Sequence, residues 1–166
     1  MTKIITVLND KFYMQKALQE ALCAFEENEV PVGAVIVHEK RVIAKAHNQI
    51  ERLHDPTAHA EMLAITQATE ALGAKWLLDC VLYVTLEPCC MCAGALVLAR
   101  IKKVVYGASD PKTGAFGSKV NINKYKLNHT IKTKKGILSN ESGDLLKKFF
   151  KAKRKPGNID GAILTR

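Results

Sequence analysis

Two short stretches constrain this chain more than anything else in it: His59-Ala60-Glu61, and Pro88-Cys89-Cys90-Met91-Cys92 about thirty residues later. Any fold the chain adopts has to bring them together, because their chemistry is complementary. They offer one imidazole and two thiols, soft ligands for a tetrahedral zinc ion, with one carboxylate beside them. Structural zinc sites close with four protein ligands, whereas catalytic sites keep three and leave the fourth position to water. Three good ligands with an adjacent Glu therefore read as a catalytic centre in which the carboxylate moves the water's protons.

Spacing distributes the roles. Neighbouring helical residues point about 100° apart, while residues three apart share a face, so Cys89 and Cys92 pair as ligands and Cys90 is assigned to packing. Residues two apart on a helix diverge by about 200°, which separates His59 as ligand from Glu61 as acid and base. A C-x-x-C by itself also describes a redox pair, but the upstream H-x-E and the lack of a thioredoxin-like pattern exclude that reading. Of five cysteines, three fall within four residues, which argues against a disulfide framework. Cys23 and Cys80 are expected to be small buried apolar residues.

At 166 residues, 48% of them hydrophobic, the chain is long enough for one domain, residues 1–166, with a core that needs no disulfides. No apolar run approaches the roughly 18–20 residues of a membrane span, so no membrane partner is expected. Residues 1–8 are too short and too quickly polar for a signal peptide, so the protein is expected to be cytoplasmic. The net charge of +9 is unevenly placed. Residues 1–99 carry 8 basic and 12 acidic groups, net −4; residues 100–166 carry 17 basic and 4 acidic groups, net +13. A solvated lysine-rich face is the plainer explanation. An asymmetry this large also suits a polyanionic partner, with nucleic acid the leading candidate.

Taken in order, residues 11–27 carry an apolar stripe at helical spacing, with Asp10 as expected N-cap. Residues 30–37 and 41–47 read as the two strands of a hairpin, and Gly33 marks either close backbone approach to a ligand or a bulge. After a polar, irregular stretch, Asp55-Pro56-Thr57 opens a helix over about 57–72 that carries His59 and Glu61 in its first turn. Residues 81–86 form a buried strand, 89–99 a helix begun by Cys89, and 103–107 a fourth strand. Residues 108–118 make a glycine-rich loop without phosphate-loop spacing, which excludes a nucleoside triphosphate site. Residues 119–130 read as irregular and 130–133 as a fifth strand. Asn140 is the expected cap of a basic last helix over about 140–155, followed by a loose tail, 156–166. This order gives a three-layer α/β/α sandwich around a mixed five-stranded sheet.

H-x-E followed by P-C-x-x-C is the signature of zinc-dependent nucleobase deaminases. Further segments resemble the bacterial tRNA-specific adenosine deaminase family, of the cytidine deaminase-like fold: residues 29–34, 54–61, 85–95, the Asp110-Pro-Lys-Thr-Gly114 loop, Asn128-His129 and Phe149-Phe150. The resemblance covers residues 10–155. It implies hydrolytic deamination of adenosine to inosine at the wobble position of a tRNA anticodon, by a homodimer binding one Zn2+ per subunit through His59, Cys89 and Cys92, with Glu61 as acid and base. It further implies that Asn48 hydrogen-bonds the base and that Val30 and Leu86 line its pocket. Asp110 would contact the sugar-phosphate, and Phe149 and Phe150 the flanking loop, with one of the two also serving the core. His129 is either near the RNA or a structural loop residue. Cys90 departs from the family's usual aliphatic residue, and His47-Asn48-Gln49 differs around the matched Asn. The rival is a deaminase of the same fold acting on a free base or nucleoside of guanine or cytosine type; another is a structural zinc module that binds RNA.

Overall fold

The computed structural model describes residues 8–154; the expected tail, 156–166, lies outside them. The elements follow the order α1 (Asp10–Glu26), β1 (Gly33–His38), β2 (Arg41–His47), α2 (Ile50–Leu53), α3 (Ala60–Leu72), β3 (Val81–Leu86), α4 (Cys90–Leu98), β4 (Lys103–Ala108), a 3-10 turn (Ile122–Tyr125), β5 (Lys132–Lys135) and α5 (Ser139–Lys153). The five strands form one sheet in the order β2-β1-β3-β4-β5. β1 pairs antiparallel with both β2 and β3, while β3, β4 and β5 are parallel to one another.

Alternation along the strands explains the three layers, because successive side chains leave opposite faces of a sheet. Ala34 and Ile36 of β1, Leu82 and Val84 of β3 and Val104 of β4 share a cluster with Ala60, Ala64 and Ala68 of α3 and Ala93, Leu96 and Val97 of α4. The residues between them, Val35, Val37, Tyr83 and Val105, pack with Tyr13, Met14 and Ala17 of α1 on the other face. Each fully buried Leu, Ile or Val contributes about 1.5–3 kcal/mol relative to exposure. α5 joins the α1 layer, where Phe149 meets Phe25 edge to face at 6.0 Å. The α/β/α sandwich with a mixed five-stranded sheet is thus as the pattern predicts.

Several local expectations are corrected. Asn9, not Asp10, caps α1 by accepting from Phe12 N at 2.9 Å. Gly33 makes room neither for a ligand nor for a bulge: a Cβ there would collide with the backbone of Ala17 and Ala21, so glycine is what lets α1 lie against β1. The irregularity in the β1–β2 register falls instead between Ile36 and Val37. α3 begins at Ala60 because Asp55 turns the chain, accepting from Thr57 N at 2.8 Å, which leaves His59 extended in the N-cap position. Asn140 lies inside α5, whose N-cap position is Leu138 in the left-handed region at φ 54. The fifth strand starts two residues later than 130, at Lys132. Cys80 is buried as expected, but Cys23 is exposed. No helix among the described residues is long and apolar enough to cross a membrane.

Strand direction places the site. β2, β3 and β4 run the same way, so their C-terminal ends gather at one edge of the sheet with the start of the antiparallel β1. Crevices outside strand C-termini are where open α/β sheets bind ligands.

Candidate active site

Two helix starts meet at this edge. β3 ends in Leu86-Glu87-Pro88 and hands over to α4 with Cys89 in the N-cap position, so Cys89 and Cys92 occupy the first turn of that helix. His59 stands in the corresponding N-cap position of α3. Its Nδ1 lies 3.7 Å from Cys89 Sγ and 3.5 Å from Cys92 Sγ. Among the described residues these three form a group able to hold a metal, with ligand atoms within 4.8 Å of one another. Tetrahedral sites with bonds of ~2.3 Å to sulfur and ~2.0–2.1 Å to imidazole nitrogen have edges of roughly 3.5–3.8 Å. The observed separations match those edges, and the donor set fits a soft metal.

Charge around the cluster follows from the same contacts. The hydrogen bond from Cys92 holds the Cys89 thiol down at about 4 against the effect of burial, and His59 reinforces it. Cys92 is pushed up by that same shared proton and by burial. The hydrogen bond with Cys89 raises His59, and Glu61 adds to this. Glu61 itself is 3% exposed, and burial pushes its carboxyl up to about 7. Its Oε2 is buried without a hydrogen-bond partner in the structure. Buried polar atoms are nearly always paired, so an orphaned carboxylate oxygen beside a ligand cluster marks a place where a reacting group belongs.

Asn48 ties the two halves of the site together. Its Oδ1 accepts from Ala60 N at 2.9 Å, capping α3 from the end of β2, twelve residues back. That leaves its Nδ2 protons as the polar group it can offer to the cavity it lines. The cavity, about 180 Å³, is bounded by Val30, Val32, Asn48, Ile50, His59, Glu61, Leu86, Glu87, Cys89, Asp110 and Thr113. It is smaller than the ~300–1,000 Å³ of sites that take drug-sized ligands, so it suits one ring system rather than a whole nucleotide. Larger cavities elsewhere, such as the groove along Phe12, Lys16 and Leu22 on the outside of α1, lack this convergence of reactive groups.

Thus His59, Glu61, Cys89, Cys92, Asn48, Val30, Leu86 and Asp110 lie together around the cavity and the cluster beside it, and Phe149 and Phe150 do not. Phe149 is buried in the α1–α5 contact, and Phe150, 44% exposed, lies beside it outside the cavity. His129 resolves as structural, its Nε2 2.6 Å from the carbonyl of Ile101. Cys90 is exposed rather than packed, because the step of one residue along α4 turns it away from its neighbours' cluster. Asp110 spends its carboxylate on its own loop, accepting from Lys112 N at 2.9 Å, Thr113 N at 3.2 Å and the Thr113 hydroxyl.

Two buried carboxylates were missed by sequence reasoning. Glu29 accepts from Glu51 N at 3.2 Å and Arg52 N at 2.8 Å, holding the start of α2 beside the cavity. Glu87 accepts from the backbone of Asp110 at 3.1 Å, Phe116 at 3.0 Å and Ser118 at 3.1 Å, and from the Ser118 hydroxyl. Their partners are backbone amides in other segments, which leave no signal in the residue types around Glu29 or Glu87.

A family model for the MafB19-like deaminases matches residues 8–154. A tRNA-specific adenosine deaminase of Aquifex aeolicus (strain VF5) is 51% identical over 148 residues, covering 89% of this chain and 97% of its own. One from Bacillus subtilis (strain 168) is 48% identical over 147 residues, covering 88% and 91%. Among solved structures, a chain from studies of A-to-I editing by tRNA:A34 deaminases at the wobble position of transfer RNA aligns at TM-score 0.76 and 44% identity, covering 81% of this chain and 99% of that one. With that identity over that length, and the ligand cluster in place, the chain belongs to the tRNA-specific adenosine deaminase family.

Proposed function

We propose that this protein deaminates adenosine to inosine at the wobble position of a tRNA anticodon, working in the cytoplasm as a single-domain, zinc-dependent hydrolase. The observation that carries the reading is the buried, unpartnered Glu61 Oε2 next to the His59, Cys89 and Cys92 cluster, at the base of a cavity sized for one base. His59, Cys89 and Cys92 would hold zinc. When bound, zinc supplies a Lewis acid that lowers the pKa of water from ~15.7 toward ~7. Glu61 then handles the protons: its carboxylate takes one from the attacking water, carries it to the ring nitrogen N1 of adenine, and returns a proton to the departing amino group. The balance is adenosine and water to inosine and ammonia.

The other residues bind and orient. Val30 and Leu86 offer apolar contact to the flat faces of the base, and the Asn48 Nδ2 protons a donor to its edge. Asp110, at the cavity wall, would border the sugar once the base is inserted; since its carboxylate already closes the loop, its contribution would be chiefly to shape that wall. An anticodon loop suits the geometry because its bases are already single-stranded and can be splayed into a pocket. Phe150 and the exposed lysines of α5 would meet the flanking loop. A homodimer is supported by exposed apolar groups near the end of α4, where Leu98 is 75% exposed beside Trp76 and Leu127.

The test is inosine formation at the wobble base of an anticodon stem-loop by wild type and Glu61→Ala, with free adenosine, guanine and cytidine alongside. Inosine in the RNA alone, and only with Glu61 present, is the expected result. Turnover of a free base or nucleoside without product from RNA would move the substrate to the free-base rival. Activity unaffected by Glu61→Ala would overturn the assigned chemistry.

A further inference from the structure

We propose that Glu87 is a positioning residue for the substrate: a latch that fixes the 108–118 loop as one wall of the cavity and thereby sets the affinity for the nucleotide entering it. The inference rests on the adenosine-in-RNA reading for its substrate, but the latch itself stands on geometry.

The loop is closed on itself at its tip. Gly114 N donates to Asp110 O at 2.9 Å, and the Asp110 carboxylate takes the Lys112 and Thr113 amides. Such a loop is stiff internally, and its placement depends on what joins it to the rest of the protein. The Glu87 side chain supplies four of those links. One oxygen, Oε2, takes the Asp110 amide at the loop's start and the Ser118 hydroxyl at its end; the other, Oε1, takes the amides of Phe116 and Ser118. A single buried side chain, 2% exposed, therefore grips both ends of the loop. Gly114 is shaped to this grip: a Cβ there would stand 2.5 Å from Glu87 Cδ. Backbone ties add to this grip and do not depend on the side chain: Glu87 N to Ala108 O at 2.8 Å at the loop's start, Ala115 N to Pro88 O at 2.9 Å at its centre, and Ile122 N to Ala115 O at 3.0 Å beyond it.

The latch bears on the substrate through what the loop carries. Asp110 and Thr113 line the same cavity as Val30 and Asn48. Glu87 is also two residues from Cys89, so one residue joins the ligand turn and the substrate wall. Four donors occupy its carboxylate, so its chemistry is to hold, not to transfer protons. An acceptor-only carboxylate can satisfy four donors, whereas glutamine at the same place turns its NH2 toward at least one of them. Glu87→Gln therefore preserves shape and breaks the grip.

The experiment measures zinc content, hydrogen exchange of amides 110–118, and KM and kcat on an anticodon stem-loop, for wild type, Glu87→Gln and Ser118→Ala. The expected result for Glu87→Gln is unchanged zinc stoichiometry, faster exchange confined to the loop, KM raised about tenfold and kcat lowered less than about threefold, since misplacing a substrate-positioning element is felt at that scale or above. Ser118→Ala, which deletes one donor and leaves Glu87 in place, should move exchange and KM the same way by a smaller factor; it decides the matter if Glu87→Gln does not fold. Loss of zinc with a proportionate fall in kcat would make Glu87 a support of the metal ligands and overturn the proposal, as would loop exchange and KM equal to wild type. If wild type makes no inosine in RNA, the functional reading fails, while the exchange measurement still decides the latch.

Discussion

Cys90 lies between two residues that point into the ligand cluster, yet it is exposed, and this contrast makes the ligand assignment testable residue by residue. Cys89→Ser and Cys92→Ser should each lose stoichiometric zinc, because a hydroxyl is a poor substitute for a thiolate at a soft site. Cys90→Ser should bind one equivalent as wild type does. Metal analysis of the three purified variants distinguishes the cases, and equal loss in all three would sink the assignment. The His59, Cys89 and Cys92 cluster was legible in the sequence because its residue types are chemically distinctive and the cysteine spacing is local: an i, i+3 pair needs only a helix to come together. Glu87 was not legible. Its partners are backbone amides 23 to 31 residues away, and an amide has no residue type to read. Asn48 falls between the two. Its place beside the site followed from resemblance, but its hydrogen bond to Ala60 N depends on the direction in which β2 ends.

At the scale of elements, α1 is fastened to the sheet at its first residue. Asp10 accepts from Tyr83 of β3 at 2.8 Å and from Lys134 of β5 at 2.6 Å, with Lys103 of β4 at 3.7 Å. Burial alone would raise this carboxyl; the hydrogen bonds from Lys134 and Tyr83 and the two lysine charges outweigh it and hold the group below the usual carboxylate value. A carboxyl lowered by folding stabilises the native state above its unfolded pKa of ~3.9, and that contribution disappears as pH falls through the lower folded value. Asp10→Asn should therefore cost about 1 kcal/mol at pH 7, given its partial exposure, with the difference from wild type shrinking below about pH 4. Urea unfolding of both proteins at pH 7 and pH 3 measures this, and a pH-independent difference would show that the ion pairs contribute nothing. Element boundaries were less legible than element order for a related reason. Asp55-Pro56-Thr57 carries the signals of a helix start, but the Asp55 side chain closes a local turn instead, and Asn48 supplies the cap three residues later. Caps drawn from distant strands leave no local trace.

For the molecule as a whole, the division between a net −4 half and a net +13 half becomes a spatial one. The acidic portion contributes α1, α3 and the cluster, whereas the lysines concentrate on the edge strand β5, where all four residues are exposed, and along α5. Charged side chains, lysine above all, also protect an exposed sheet edge from pairing with another chain, so those on β5 have a sufficient explanation without RNA. Lys134 is further committed to Asp10. Those on α5 do not guard an edge. Lys147, Lys148 and Lys151 are exposed on the helix that carries the half-open Phe150, Lys147 beside Asp144 at 3.3 Å and Lys148 over the Phe25 ring. A row of cations with an exposed aromatic suits the phosphates and stacked bases of a single-stranded loop. Changing all three to Gln should weaken binding to the stem-loop and flatten its dependence on salt. Each lost phosphate contact removes ~0.7 to 0.9 from the slope of log K against log salt, so three lost contacts would reduce it by about 2 to 3. Lys75→Gln, made in the acidic half, is the control and should leave the slope unchanged. A triple variant with the wild-type slope would return these lysines to an ordinary solvated surface and place the RNA on another face of the protein.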